Sequence, residues 1–242
     1  AAGGFRRHRG GFLVLAHLTA AVELGQAAFA GFPETVVQVN TLKITPAQLL
    51  LQLEQERVSA APHGWMKDCL VLFGTGSIEH LPSFKEGLFY VQDPAAKLSV
   101  LCAKLPKADI RVLDCCSAPG GKSFAASVVM GGRGQITSCD VHHHKVGIIE
   151  NGAQRLGLTN ITARQQDATE LVHEWQDAMD VVICDAPCSG LGIIRKKPDI
   201  RYKNLDEMKA LSALQLAILE NQATYVKKGG VLLYSTCTVL KA

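Results

Sequence analysis

The sequence predicts an α/β protein whose larger part is a doubly wound parallel sheet, preceded by a smaller α+β unit. From residue 110 onwards, short apolar segments alternate with longer helical segments, and strands that alternate with helices form parallel sheets. Acidic residues, glycines and cysteines follow the predicted strand ends, where such sheets bind ligands. Residues 33–90 show a different rhythm, with short strands around one helix.

Length and composition fit one large globular domain with a small companion. The chain has 242 residues, of which 48% are hydrophobic and 19% are charged, and this balance excludes a disordered chain. A net charge of +3 is too small to indicate a nucleic-acid partner without a local basic patch. The longest uncharged apolar run, Phe12 to Val22, is shorter than the roughly 20 residues that span a bilayer, so no membrane partner is predicted.

The leading segment, residues 1–32, is rich in glycine and alanine and is open to two interpretations. Arginines at positions 6, 7 and 9 precede the apolar run, and Ala28-Phe29-Ala30 follows it, which imitates a secretory signal with its cleavage site. The favoured interpretation is a truncated helical region, because Gly25 and Gln26 are poor neighbours for such a cleavage site.

The eight cysteines are interpreted as reduced thiols of a cytoplasmic protein. Cys115 and Cys116 are adjacent, and vicinal cysteines rarely form a disulfide because the geometry is strained. The sequence has no C-x-x-C pair, and three consecutive histidines at 142–144 point about 100° apart on a helix. No metal site is therefore predicted.

The small unit is predicted from two strands and a helix. Residues 36–39 and 71–73 are short runs of β-branched and apolar residues, which favour strands. Residues 46–57 carry leucines at helical spacing. Thr45 as the N-cap and Pro46 in the first helical position support the start of this helix.

The larger unit is predicted to contain five strands and three helices. The last helix is expected to end at Lys227-Lys228-Gly229-Gly230, because basic residues followed by glycine suit a helix C-terminus. The predicted strands are residues 110–114, 134–140, 161–165, 180–185 and 230–235. The predicted helices begin near 122 and span 142–156 and 205–226.

A loop with two glycines and two acidic residues predict a nucleoside cofactor without phosphates. The loop from Asp114 to Lys122 lacks the spacing of dinucleotide-binding and phosphate-binding loops, but Gly120 and Gly121 allow a ligand close to a helix N-terminus. Asp140 is placed to accept hydrogen bonds from two ribose hydroxyls, and Asp167 to accept an adenine amino group. S-adenosylmethionine (SAM) fits these positions, while a tight turn and helix or turn caps are the structural alternatives.

Two cysteines at neighbouring strand ends indicate methylation of carbon. Cys188 follows the fourth predicted strand in the segment Asp185-Ala-Pro-Cys-Ser-Gly190, and Cys237 follows the fifth. Pyrimidine C5 is a poor nucleophile until a thiolate adds at C6, so a thiol beside a methyl donor suits this reaction. Adjacent parallel strands lie roughly 5 Å apart, which lets both thiols reach one pocket. Two ordinary buried cysteines are the alternative.

These motifs resemble those of the RNA cytosine-5 methyltransferases, the Sun/NOL1/NOP2 family, and most of all the bacterial Sun/Fmu enzymes of 16S ribosomal RNA. The likeness runs from about Val36, just before the segment Gln38-Val-Asn-Thr-Leu-Lys43, to the end of the chain. The resemblance implies a Rossmann-like SAM-dependent methyltransferase sheet over residues 91–242, after a small RNA-recognition-like subdomain over 33–90. The sheet is expected to lack its last strands, because the chain stops soon after Cys237.

The resemblance also implies a role for each candidate site residue. Cys237 resembles the nucleophile, Cys188 the cysteine that helps to release the product, and Asp185 the acid near the methionine and the target base. Asp140 resembles the ribose acid and Asp167 the adenine-side acid. The SAM-binding loop of the family corresponds to Cys116, Ser117, Ala118, Pro119, Gly120, Gly121 and Lys122.

A basic loop follows the proline–cysteine motif. Its position favours contacts with RNA phosphates at the mouth of the site, and a solvated loop is the alternative. The sequence departs from the family at Gln38 and Lys145, where arginine is common. The candidate RNA-binding residues of the loop are Arg195, Lys196, Lys197 and Arg201.

The sequence therefore predicts an enzyme, a SAM-dependent RNA cytosine-5 methyltransferase, with ribosomal RNA as the expected substrate. We expect a monomer that acts in the cytoplasm without a metal ion. Two alternatives are open. One is the same reaction on transfer RNA, and the other is a non-catalytic assembly factor that binds SAM and RNA.

Overall fold

The computed structural model describes residues 12–16, 35–194, 196–202 and 204–238, which form two β-sheets and six α-helices. Within these residues, no helix is long and apolar enough to cross a membrane. The strands are β1 (Phe12–Ala16), β2 (Thr35–Val39), β3 (Ser59–Pro62), β4 (Cys69–Phe73), β5 (Phe89–Val91), β6 (Arg111–Asp114), β7 (Gln135–Asp140), β8 (Ile161–Gln165), β9 (Met179–Asp185) and β10 (Val226–Ser235). The helices are α1 (Pro46–Gln55), α2 (Pro82–Lys85), α3 (Pro94–Cys102), α4 (Gly121–Val129), α5 (His143–Leu156) and α6 (Leu205–Ala223).

The larger sheet confirms the predicted doubly wound α/β fold. Its described strands have the order β1-β10-β9-β6-β7-β8, and every neighbouring pair is parallel. The order reverses at β6, which has β7 on one side and β9 on the other. Open α/β sheets bind ligands at such a switch point, beyond the carboxyl ends of the strands. The residues after β6, β9 and β10 therefore share one edge of the sheet.

Alternation of side chains along the buried strands gives this sheet a core on each face. On β9, Val182 belongs to a cluster with Ile218 of α6, whereas Val181 belongs to a cluster with Val100 of α3 and Ala126 of α4. All of these side chains are buried. Burial of each valine or isoleucine side chain contributes roughly 1.5–3 kcal/mol to the stability of the fold. The two cores therefore hold in place the strands whose ends form the site.

The leading segment differs from its prediction where it is described. The sequence predicts a truncated helical region, but Phe12–Ala16 form β1, which pairs in parallel with β10. A continuous apolar run lacks the alternation of a surface helix, and the edge of β10 offers backbone groups for pairing. Residues 1–11 and 17–34, which include the signal-like residues 28–30, lie outside the described residues.

Both broad faces of the small sheet are covered. Its strands are antiparallel, in the order β3-β4-β2-β5. One face packs on α1, where Val37 contacts a cluster with Leu49 and Leu53. On the other face, Leu98 of α3 packs against a cluster that includes Met66. α1 and α3 thus pack on opposite faces of this sheet, while the edge strand β3 is more exposed.

A polar junction fixes the small sheet to α5. The buried Asn40 donates from Nδ2 to the carbonyl oxygens of Gly87 at 3.0 Å and Leu156 at 2.9 Å. Lys43 Nζ donates to the carbonyl oxygen of Arg155 at 3.2 Å. Arg155 and Leu156 end α5, where the last carbonyl groups of a helix need partners from outside it. The Val-Asn-Thr-Leu-Lys segment thus joins the two parts of the molecule.

Several element boundaries differ from the sequence predictions. The start of α1 is confirmed, because Thr45 and Gln48 form a capping box around Pro46. The predicted end of the last helix is wrong: α6 stops at Ala223, and Lys227 lies in β10. Lys227 Nζ donates to Asp180 of the neighbouring strand β9 at 2.9 Å. The basic residue therefore pairs with a carboxylate across the sheet instead of with the last carbonyl groups of a helix. The sequence does not predict β3 or β5, because β3 contains no β-branched residue and β5 has three residues.

Candidate active site

Two cysteine thiols meet beyond the carboxyl ends of β9 and β10. Ser235 lies beside Asp185 in the register of these strands, so the segments that follow leave the sheet together. The Sγ atoms of Cys188 and Cys237 are 2.9 Å apart. The backbone N–H of Cys237 also donates to Cys188 Sγ at 3.2 Å. The structure therefore brings the two predicted cysteines together.

The two thiols differ in acidity. The hydrogen bond from the Cys237 thiol, with further ones from the backbone N–H groups of Cys237 and Gly190, lowers the pKa of Cys188 to about 6, although burial opposes the change. The same contact raises the pKa of Cys237, and burial adds to this. The contact and the backbone N–H groups therefore favour Cys188 as the more acidic thiol of the pair.

Asp185 lies between a lysine and a serine, close to the thiols. Lys122 Nζ is 2.5 Å from Asp185 Oδ2, and Ser235 Oγ donates to Oδ1 at 2.7 Å. The side chain of Asp185 is 36% exposed and that of Lys122 is 13% exposed, so the carboxylate is the accessible member of the pair. Because Lys122 belongs to the first turn of α4, this pair links the glycine loop to the thiols. The sequence predicts Lys122 as part of the loop but not its contact with Asp185.

The glycine loop presents the N-terminus of α4 without a capping side chain. Gly120 is the N-cap residue, and its φ of +110° is one that other residues rarely adopt. A Cβ atom there would lie 2.4 Å from the Phe124 ring. The N–H of Ser117 donates to the carbonyl oxygen of Cys139 at 2.8 Å, which ties the loop to β7. The N–H of Ser123 interacts with Asp114, so the N–H groups of Gly121 and Lys122 are the ones at the start of α4 that suit a polar ligand group.

The predicted members of this loop differ in exposure. Ser117 and Gly120 are buried beneath the turn, so they shape the loop more than its surface. Gly121 packs closely on Gln92, whose Nε2 would lie 3.0 Å from a Cβ atom at this glycine. The partly or fully exposed members are Cys116, Ala118, Pro119, Gly121 and Lys122.

Asp114 lies beneath the loop with no access to solvent. Burial raises the pKa of its carboxyl to about 7, although Ser123 Oγ donates to Oδ2 at 2.7 Å and favours the ionised form. Ser138 Oγ lies 2.6 Å from Ser123 Oγ. These three side chains join the ends of β6 and β7 to the first turn of α4. The sequence analysis assigns no role to Asp114. Its position as an acidic residue at the end of an apolar strand is the feature that could have indicated one.

The acidic residues after β7 and β8 have different surroundings. Asp140 is 8% exposed, and its Oδ1 accepts the N–H of His142 at 3.0 Å, which is the predicted capping alternative. Its Oδ2 makes no hydrogen bond within the described part of the chain. Lys145 Nζ lies 3.8 Å from Oδ1. Asp167 accepts the hydroxyl and the N–H of Thr169 at Oδ1, and these bonds lower the pKa of Asp167.

The basic loop is partly engaged by the protein itself. Lys196 forms an ion pair with Asp93, the N-cap residue of α3. Lys197 and Arg201 are exposed. Arg195 lies outside the described residues. Among the described residues neither Lys197 nor Arg201 forms an ion pair, and Arg201 Nε donates to the carbonyl oxygen of Pro198 at 3.0 Å.

Three buried cysteines are poor candidates for chemistry. Burial raises the pKa of Cys69 to about 11 and that of Cys139 to about 12. Hydrogen bonds with Cys116 and Cys184, together with burial, raise the pKa of Cys115. These thiols therefore stay protonated and unreactive at neutral pH. No group of three or more histidine, cysteine, aspartate or glutamate residues in the described ranges is placed to hold a metal ion.

The strand order and the loop after β6 define a Rossmann-like methyltransferase fold. A methyltransferase homologue from Pyrococcus horikoshii superimposes with a TM-score of 0.72 and 28% identity, over 88% of this chain and 68% of that one. NSun6 from Pyrococcus horikoshii shares the fold, with a TM-score of 0.74 and 19% identity over 86% of this chain and 76% of its own.

The sequence places the chain within one family of these proteins. The family model described as 16S rRNA methyltransferase RsmB/F matches residues 102–242. A probable ribosomal RNA small subunit methyltransferase B from Bacillus subtilis is 41% identical over 209 residues, which are 86% of this chain and 46% of the relative. The chain belongs to the RsmB/F family, as the resemblance predicts. It spans about half the length of the curated relatives that it matches.

Proposed function

We propose that this chain transfers a methyl group from SAM to C5 of a cytosine in RNA, and that the substrate is 16S ribosomal RNA. The observation that carries the proposal is the pair of thiols 2.9 Å apart beside Asp185 and Lys122, next to the start of α4. Activation of C5 needs a thiol, and a cofactor needs a site within reach of it. Membership of the RsmB/F family supports the choice of 16S ribosomal RNA.

The residues around the glycine loop fit SAM. The uncapped N-terminus of α4 suits a carboxylate, and Asp140 Oδ2 is available to ribose hydroxyls. Asp167 is assigned to the adenine amino group. NSun6 from Pyrococcus horikoshii was solved with SFG, a SAM analogue, which supports this cofactor for the shared fold. When bound, SAM supplies an electrophilic methyl group.

The cysteine pair supplies both the nucleophile and the group that moves its proton. Cys237 attacks C6, and the Cys188 thiolate accepts the thiol proton of Cys237 as the sulfur–carbon bond forms. After C5 is methylated, a base removes the C5 proton, and the electrons of that bond restore the C5–C6 double bond and expel Cys237. Cys188 then returns its proton to Cys237. The pair is thus reset for another cycle.

Asp185 and Lys122 act on the target base. Asp185, the more exposed of the two, accepts a hydrogen bond from the N3 edge of cytosine, where the 4-amino group is a donor. Lys122 holds the carboxylate in place and sets a positive charge beside the ring. Attack at C6 pushes electron density onto the ring, so a fixed positive charge stabilises the adduct.

The target cytosine must leave its stack to reach the thiols, so we expect it in a loop or in an opened helix. Lys197 and Arg201 are exposed and are assigned to the phosphates of the flanking strand. The free cysteines of the described chain suit a reducing compartment, so we place the reaction in the cytoplasm. We also propose that the chain acts as a monomer.

Methyl transfer by the purified chain tests this proposal. A 16S ribosomal RNA transcript and a pool of transfer RNA are incubated with radiolabelled SAM, and the labelled positions are mapped by bisulfite sequencing. We expect 5-methylcytosine in the 16S transcript. Label in transfer RNA alone would show that transfer RNA, and not 16S ribosomal RNA, is the substrate. Binding of SAM and RNA without methyl transfer would favour a non-catalytic assembly factor.

A further inference from the structure

An exposed aromatic pair lies in the turn between β3 and β4. Trp65 is 61% exposed, and its ring meets the His63 ring edge-on with the centroids 5.0 Å apart. The next residue, Met66, is buried against α3, and its N–H donates to His63 Nδ1 at 3.2 Å. The turn is therefore anchored from below while the indole faces solvent.

Contacts along α3 connect this turn with the basic loop. The buried Lys97 donates from Nζ to the carbonyl oxygen of Lys67, in the same turn, at 3.1 Å. Asp93, at the start of α3, forms the ion pair with Lys196. Asp93 and Lys97 are one helical turn apart, about 6 Å along the axis. The turn and the basic loop therefore flank the same end of α3.

The position of the turn relative to the thiols is fixed by the fold. Asn40 attaches the small sheet to α5, and Lys97 attaches the turn to α3. Gln92 packs against Gly121 of the glycine loop, which brings the start of α3 to the rim of the cofactor site. These contacts hold the turn in a fixed position beside α3 and the glycine loop.

We propose that Trp65, supported edge-on by His63, is a stacking platform for an unpaired base of the RNA strand that passes the basic loop. This inference rests on the proposed function, because it takes the substrate to be RNA. Single-stranded RNA is bound by stacking of its bases on exposed aromatic rings, with positive charge beside the phosphates. The exposed Lys67 supplies such a charge next to the platform. The positive charge beside the ring favours RNA over an apolar protein surface, because the phosphates of a nucleic acid pair with it.

Tryptophan emission reports directly on this platform. The chain has two tryptophans, and the other one, Trp175, is buried. The full 242-residue chain is titrated with a single-stranded oligoribonucleotide of mixed sequence while the emission is recorded. We expect saturable quenching in the wild type and none in Trp65→Phe, where the remaining emission comes from Trp175.

Affinity for the same oligoribonucleotide provides the second measurement. Trp65→Ala is expected to weaken binding by about five- to a hundredfold, and Trp65→Phe to retain most of the affinity because it keeps a ring. Phe73→Ala is the matched control, since Phe73 is 48% exposed at the far end of β4 and should not change binding. SAM affinity and melting temperature should be the same in all variants.

The outcomes separate this inference from the proposed function. Two results in a chain that methylates RNA would contradict the platform while the proposed reaction stands. One is Trp65 emission that RNA does not quench, and the other is Trp65→Ala binding within about twofold of the wild type. The exposed indole would then be interpreted as a contact for a protein partner. Quenching and weakened binding in a chain that does not transfer methyl groups would support the platform and contradict the proposed reaction.

Discussion

At the scale of single residues, the chemistry depends on where one proton lies. The 2.9 Å contact between Cys188 and Cys237 stabilises a thiolate on one sulfur at the expense of the other. Backbone N–H groups of Cys237 and Gly190 favour Cys188 as the anion. In the proposed cycle this makes Cys237 the thiol that gives up its proton on attack and Cys188 the base that receives it.

Alkylation measures this distribution. We expect the rate at which iodoacetamide modifies Cys188 to rise through a midpoint near pH 6, because the reactive thiolate is present above the lowered pKa and is lost below it. Cys237→Ala removes the thiol that donates to Cys188, so the midpoint should move to higher pH. Peptide mass spectrometry over roughly pH 5 to 9 gives the rates, with the exposed Cys102 as an internal reference. An identical midpoint in both proteins would contradict the shared proton.

Asp140 combines two roles that one substitution separates. Asp140→Asn keeps an oxygen for the N–H of His142 but loses the carboxylate proposed to bind ribose. Hydrogen bonds to charged groups contribute about 1.5–3 kcal/mol, so SAM affinity should fall by about tenfold or more while the melting temperature changes little. Calorimetry is the measurement. Unchanged SAM affinity would leave only the capping role.

At the scale of elements, the Val-Asn-Thr-Leu-Lys segment joins the small sheet to α5, the helix that follows Asp140. Asn40 satisfies the carbonyl oxygens of Gly87 and Leu156 in a place without solvent. Its loss leaves both oxygens without their partner, and each buried unsatisfied group costs about 1–3 kcal/mol. The small unit thus stabilises α5 and, through it, the end of β7.

Substitution of Asn40 at this junction should lower the free energy of unfolding. We expect Asn40→Ala to reduce the free energy of unfolding by about 2–4 kcal/mol, measured by urea denaturation, because two buried carbonyl groups lose a donor. Thr41→Ala, at the exposed neighbouring position, is the control and should change stability by less than about 0.5 kcal/mol. Equal midpoints for the two variants would show that the junction contributes nothing.

The basic loop and β10 provide a matched pair of lysines. Lys197 is exposed on the rim of the proposed active site, and Lys228 is exposed near the amino end of β10, at the opposite edge of the sheet. We expect Lys197→Ala to weaken RNA binding and to reduce its salt slope by about 0.7–0.9, with SAM affinity unchanged. Lys228→Ala should bind RNA as the wild type does. Filter binding at a series of salt concentrations measures the slope for each variant. Similar slopes for the two variants would show that the RNA does not pass this loop.

At the scale of the whole molecule, local pattern predicts the parallel sheet and the residues at its strand ends. Cys188 and Cys237 each follow an apolar strand, and the geometry of adjacent strands is general. Contacts between distant residues are not predicted, because they depend on packing. The ion pair of Lys196 with Asp93 joins positions 103 residues apart, and the bond from Asn40 to Leu156 joins positions 116 apart. The same holds for the contact of Lys122 with Asp185, which gives a loop residue a second role.

The central claim is that Cys237 attacks the cytosine and Cys188 releases it, and trapping of the covalent adduct tests it most directly. Wild type, Cys237→Ala and Cys188→Ala are incubated with SAM and a 16S ribosomal RNA transcript, denatured and separated by gel electrophoresis. We predict that Cys188→Ala accumulates a denaturant-resistant protein–RNA complex. Loss of Cys188 removes the contact that raises the pKa of Cys237, so Cys237 can ionise and attack without its partner, but it lacks the proton donor for its release. Cys237→Ala should form no complex and transfer no methyl group. A complex that accumulates with Cys237→Ala and not with Cys188→Ala would contradict the account and reverse the two roles.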